Sequence, residues 1–188
     1  MGYLREEEID PSFPPFSAFQ EGFGFVPRLF RAQTLLPRVI EAESGIVSAL
    51  LFEDGSLSRV QKERILFTVA LAQRNPYCAA KAYRMLLLLG VHEQEPDALQ
   101  SFVAKLARCP TSLSDQDFSE LRALAWTDEC IQEAVLTAAW GKFECTLSVG
   151  LGVAPDFAPP PLTPNPAASE PATIAEERFG PLSSLRGT

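Results

Sequence analysis

Residues 58–90 read SRVQKERILFTVALAQRNPYCAAKAYRMLLLLG, and physically they are two helices meeting at a tight break. Ser58 and Gln61 form a capping box, which satisfies two backbone donors and starts the first helix. That helix is expected to run to about Arg74. Asn75 is a favoured N-cap and Pro76 suits the first helical position, so a second helix starts at once. Gly90 can take the left-handed conformation that ends it. Two residues in this hairpin can carry chemistry, Glu63 in the first helix and Cys78 in the first turn of the second.

Glu63 shares a helical face with Val60, Phe67 and Ala70, which are apolar. A carboxylate there is either buried with a raised pKa or paired with a cation. Cys78 follows the Asn75 cap by three residues, where free backbone N–H groups and the helix dipole favour a thiolate. A base-like carboxylate and such a thiol are the parts of an activated cysteine. The same residues also admit a structural reading. Cys78 belongs to a stripe with Ala82, Met85, Leu86 and Leu89, as a small core residue would. Glu63 can sit at a surface edge and pair with Arg64 or Lys81.

The hairpin resembles the core of the alkylhydroperoxidase D (AhpD) and carboxymuconolactone decarboxylase family. The motif of that family is a helical Glu, a Cys-x-x-Cys and a His four residues beyond the second Cys. Glu63, fifteen residues before Cys78, matches the Glu and the second Cys; Asn75 stands at the first Cys and Ala82 at the His. Arg64, Tyr77 and Gly90 fit the flanking pattern. Residues 29–52 are similar to the lead-in helices of peroxidase-related members, and residues 106–153 to the closing helices. Cys145 and Thr146 stand where the family usually has Asn-Arg. The resemblance spans roughly residues 25–155.

The resemblance implies an all-α AhpD-like domain with a central helical hairpin, and a thiol-dependent (hydro)peroxidase or antioxidant activity of peroxiredoxin type. Cys78 would be the peroxide-reacting thiol and Glu63 its general base. Asn75 cannot resolve a sulfenic acid, so the cycle needs an external thiol reductant or another cysteine of the chain, Cys145 foremost. The replaced Cys and His imply reduced activity. Tyr77, Lys81 and Trp140 are expected to line the pocket; Lys81 either stabilises a thiolate or is a solvated helix residue. A second reading is a catalytically inactive AhpD-fold oligomer that binds a small hydrophobic ligand or a partner subunit. A third is a lactone decarboxylase-type enzyme, for which Ala82 lacks an ionisable group. The family also implies a homo-oligomer, a trimer or a hexamer.

Outside the hairpin the chain divides into an N-terminal arm (1–28), a helical domain (29–153) and a Pro-rich tail (154–188). The arm holds Phe13, Phe16, Phe19, Phe23 and Phe25, and is expected to pack in extended form on the core or on a neighbouring subunit. Pro37 opens a helix to about Leu51, with Ile40, Ile46, Val47 and Leu50 apolar. Pro96 opens another, with Leu99, Phe102, Val103 and Leu106 inward. Ser114 caps a short helix, and Thr127 starts the last long one, whose buried side takes Ile131, Val135, Ala138, Leu147 and Val149. No stretch alternates with period two, so the class is all-α. In the tail, Phe157, Ile174, Phe179, Leu182 and Leu185 are spaced like anchors of a strap over an adjacent subunit.

Composition sets outer limits. At 188 residues, 46% hydrophobic and 21% charged, the chain is one soluble domain with tails. A net charge of −8 argues against nucleic acid or an anionic membrane as partner. The first ten residues carry no secretory signal and no apolar run is long enough to cross a bilayer, so a cytoplasmic protein is expected. The four cysteines, at 78, 109, 130 and 145, are too scattered for a disulfide framework. With His92 as the single histidine, no metal site is recognisable, and without a glycine-rich loop no cofactor is expected.

Overall fold

The computed structural model describes residues 2–10, 12–92, 96–158 and 160. Eight α-helices and no strand occur among them. They are α1 (Pro14–Phe23), α2 (Arg28–Arg31), α3 (Pro37–Val47), α4 (Arg59–Ala72), α5 (Pro76–Leu88), α6 (Ala98–Arg108), α7 (Asp115–Ala123) and α8 (Asp128–Gly150). A π turn over Ser48–Phe52 follows α3, and a 3-10 turn over Pro110–Ser112 follows α6.

The α4–α5 hairpin is built as its caps dictate. The Gln61 N–H donates to Ser58 Oγ at 3.3 Å and the Ser58 N–H to Gln61 Oε1 at 2.8 Å, which closes the capping box. Arg74 turns the chain at φ 51°, and Gly90, at φ 80°, ends α5. The Val91 N–H then reaches back to the Leu86 carbonyl at 2.9 Å, as in a Schellman closure. α6 differs slightly from expectation. Asp97 rather than Pro96 defines its start, because the Asp97 carboxylate accepts the Gln100 N–H at 3.0 Å.

α4 lies between α5, α6 and α8 and supplies Ile65, Val69 and Ala70 to a core completed by Leu99, Val103, Ile131, Ala134 and Ala138. Burying each large aliphatic side chain is worth ~1.5–3 kcal/mol. α8 crosses α4 at Gly141, where a Cβ would lie 3.1 Å from Leu66 Cδ2. The inner face of α8 is therefore Ile131, Ala134, Ala138, Gly141, Cys145 and Ser148. Val149, expected near that face, is 65% exposed because the register through Gly141 turns it outward. Ile46 is likewise exposed, with Glu43 taking the inward position on α3.

The N-terminal arm holds a helix where an extended segment was expected. Pro14 and Pro15 sit at the first helical positions, and Pro15, Phe19 and Phe23 recur at intervals of four on one buried side. Phe19 stacks on Phe30 with centroids 3.9 Å apart, and Phe23 meets Phe52 edge-on at 4.9 Å. These rings form a second apolar cluster with Ile40, Val47, Met85 and Trp140 of the same chain. Phe157 packs edge-on against Phe25 at 4.9 Å. The remaining strap anchors, Ile174 to Leu185, lie outside the described residues.

Candidate functional site

Cys78 and Cys145 lie side by side where α5 meets α8. Both are buried, both are free thiols, and Cys145 is the first of the groups that push the Cys78 thiol up. Asn75 makes this approach. Its Oδ1 accepts the Cys78 N–H at 2.8 Å, while its Nδ2 donates to the Cys145 carbonyl at 3.0 Å and to Ser148 Oγ at 2.9 Å. One side chain thus caps α5 and ties it to α8. Asn75→Ala removes all three bonds from a buried position and is expected to cost about 2–4 kcal/mol of folding stability, read from urea unfolding midpoints.

Lys81 and Glu144 form a direct ion pair across the same helix contact, with side chains 2% and 1% exposed. This overturns the solvated-helix reading of Lys81. Burial, the largest single influence, works against its ammonium, but Glu144, Cys78 and Glu63 together outweigh it and move the pKa up. Glu144 is a site residue that the sequence reading missed. The available signal was an acid on the strip Gly141–Cys145–Ser148, whose other members are small.

Glu63 is fully buried. Its partner is neither Arg64 nor Lys81 but Arg59, one turn earlier, whose Nε and second guanidinium nitrogen both approach Oε1, at 2.9 and 2.8 Å. Burial outweighs Arg59 and Lys81, so the carboxyl is pushed up. Both sequence alternatives hold together, a raised pKa and a cation partner. Oε2 has no hydrogen-bond partner among the described residues.

Tyr77 is buried and spans from α5 to two distant segments. Its Oη accepts the Leu29 N–H at 3.1 Å and donates to Asp156 Oδ2 at 2.9 Å. Burial, then Asp156, pushes the phenol up. Trp140 is buried in the aromatic cluster beside Phe143, and its indole N–H has no partner among the described residues. The Lys81 ammonium lies 5.4 Å from the Phe23 ring centroid, so the polar group sits between the two apolar clusters.

The electrostatics correct one expectation. Helix-terminal N–H groups were expected to favour a Cys78 thiolate. Instead Cys145, burial and the Glu144 carboxylate, in that order, push the thiol up, and Lys81 only partly opposes them. Cys78 therefore rests as a neutral thiol. Cys109 is the opposite case, exposed and lowered by hydrogen bonds from Thr111 and Ser112. Iodoacetamide at neutral pH is expected to label Cys109 first and Cys78 last, by peptide mass spectrometry. The raised folded pKa also sets a stability trend. The contribution of the neutral Cys78 is complete below the unfolded thiol value of about 8.5 and is lost as pH rises above it, at about 1.4 kcal/mol per unit. Urea midpoints against pH check this, with Cys78→Ala flattening the slope.

Among the described residues no cluster of His, Cys, Asp and Glu could hold a metal ion. No helix among them is long and apolar enough to cross a membrane.

These helices and their packing are an AhpD-like all-α fold, as comparison with solved structures shows. An uncharacterized peroxidase-related protein from Silicibacter sp. TM1040 superposes with a TM-score of 0.73 at 18% identity, over 82% of this chain and 92% of that one. A peroxidase-related protein with an alkylhydroperoxidase AhpD core, from Ralstonia eutropha JMP134, gives 0.69 at 20% identity over the same shares. The debrominase Bmp8, solved with 2,3,4-tribromopyrrole, gives 0.67 at 16% identity, over 81% of this chain and 91% of that one. No protein-family model matches the chain, and no curated protein does.

Proposed function

We propose that the protein is a thiol-dependent hydroperoxidase whose redox couple is Cys78 and Cys145. The observation that carries this is the Asn75 side chain, which bonds the backbone of both buried cysteines and ties Cys78 to Cys145. Asn75 occupies the position of the first family cysteine, and Cys145 supplies the second sulfur from α8. In the first step the Cys78 sulfur attacks the outer peroxide oxygen, the O–O bond breaks, and the alkoxide leaves as alcohol, giving Cys78 sulfenic acid. Cys145 then attacks that sulfur, water leaves, and a Cys78–Cys145 disulfide forms. An external dithiol reduces the disulfide and is itself oxidised.

In this reading the Cys78 proton goes to the nearby acid whose charge acts on the thiol, Glu144. Transfer to the Glu144 carboxylate leaves the Lys81 ammonium to face the new thiolate, so the net charge of the dry cluster is unchanged. In this reading Glu144 takes the role first given to Glu63, and Glu63 with Arg59 completes the charge balance around Lys81.

The test is oxidation of the reduced protein with hydrogen peroxide, followed by non-reducing peptide mapping. A linkage between Cys78 and Cys145, reversed by dithiothreitol and formed repeatedly with peroxide consumption, supports the assignment. Persisting free thiols would favour the second reading, an inactive AhpD-fold protein that binds a ligand or partner. The neutral, buried state of Cys78 is what speaks for that alternative. A homo-oligomer, trimer or hexamer, belongs to the same proposal and is tested by light scattering.

A further inference from the structure

Positive charge that the thiol chemistry does not use gathers in a surface groove. It has a volume of about 550 Å³ and is walled by the end of α1, by α2, by α5 and by Asp156–Phe157. Three guanidiniums converge there, Arg28, Arg31 and Arg84, although the chain as a whole carries −8. Arg28 is engaged, with Nε 3.6 Å from Asp156 Oδ1. Arg31 and Arg84 are exposed and make no ion pair among the described residues; Arg84 instead lies over the Phe157 ring at 5.8 Å. Phe25 and Phe157, in edge contact, give the groove an apolar wall.

We propose that this groove binds a small amphipathic carboxylate, its head on Arg31 and Arg84 and its apolar body against Phe25 and Phe157. Guanidinium forks match a carboxylate in shape and charge, and the aromatic wall removes the apolar part from water. The groove also touches the thiol site at two points. Phe23 lines it and is the ring that lies over the Lys81 ammonium. Asp156 lines it and accepts the hydrogen bond from Tyr77, the neighbour of Cys78. The groove thus shares Phe23 and Asp156 with the surroundings of the buried cluster. Resting on the peroxidase reading, the substrate class that follows is a hydroperoxide carrying a carboxylate on an apolar body.

Two measurements on the full chain separate the groove from the thiol chemistry. The first is calorimetric binding of decanoate and of neutral decanol. Decanoate is expected to bind saturably, and Arg31→Gln with Arg84→Gln to weaken it by about tenfold per guanidinium lost. The double change Arg38→Gln with Arg108→Gln, at exposed positions outside the groove, alters net charge equally and should leave binding unchanged. Absence of saturable binding, or equal weakening by both pairs, overturns the site. The second compares Cys78–Cys145 disulfide formation with linoleic acid hydroperoxide and with its methyl ester. The acid should react faster in the native chain and lose its advantage in the Arg31 and Arg84 variant. Equal rates for acid and ester overturn the substrate class. Failure of hydrogen peroxide to oxidise Cys78 instead removes the peroxidase reading and leaves decanoate binding as an independent result.

Discussion

Glu144→Leu alone is expected to lower folding stability by about 3–5 kcal/mol, because it strands the Lys81 ammonium in a dry interior. Lys81→Met alone should cost a similar amount by stranding Glu144. The double variant Lys81→Met with Glu144→Leu is expected to recover most of the loss, since both desolvation penalties vanish together and similar volume is retained. Urea unfolding of the four proteins gives the coupling energy directly. The exposed pair Arg122–Asp128 is the internal control. Its contact is short, at 2.7 Å, but its side chains are 52% and 71% exposed, so Arg122→Ala should change stability by less than about 1 kcal/mol. Additive losses at Lys81 and Glu144, with no recovery in the double variant, would mean that the pair is wetter than its burial indicates. The double variant then has a second use. If the pair handles the Cys78 proton, the folded double variant should oxidise with peroxide far more slowly and with an altered pH profile.

The parts of the fold legible in the sequence were those decided locally. Ser58, Asn75, Ser114 and Thr127 announce their helices because a cap is a contact between neighbours in the chain. The α1 helix was hidden because five phenylalanines with four prolines in the arm suggest extended packing. Yet Pro15, Phe19 and Phe23 already carried the interval of four. Inner faces were harder where a helix is apolar nearly all round. On α8 the register depends on where Gly141 meets Leu66 and Val69, a fact of another helix. The site divides in the same way. Arg59 could have been read as the Glu63 partner from its spacing of four. Lys81 falls three residues after Cys78 on the apolar stripe, so its burial was readable in principle. Its partner was not, because Glu144 arrives from sixty-three residues away. Cys145 was a candidate partner for Cys78 from its place near the closing helix, but the Asn75 bridge between the two residues needed the folded chain.

Cys145→Ser is expected to stop peroxide chemistry after one event at Cys78. With no neighbouring sulfur, the sulfenic acid would persist, react with dimedone, and pass to sulfinic acid under excess peroxide, each species visible by mass. Turnover with dithiothreitol should fall about a hundredfold or more, because an adjacent thiol enjoys an effective concentration that a dissolved one cannot match. Burial strengthens the argument. Cys78 is 4% exposed, and a bulky external thiol has poor access to its sulfur. An internal thiol therefore has to carry the oxidation outward before a reductant can act. Cys145→Ala should behave in the same way, which separates loss of sulfur from any perturbation by a buried hydroxyl. Cys109→Ser and Cys130→Ser should turn over like the native protein, since neither is assigned to the buried pair. If Cys145→Ser retains full turnover, resolution occurs at an external thiol, and the contact between the two sulfurs is a packing contact. If Cys78→Ser also retains it, the peroxide is not reduced at this site at all.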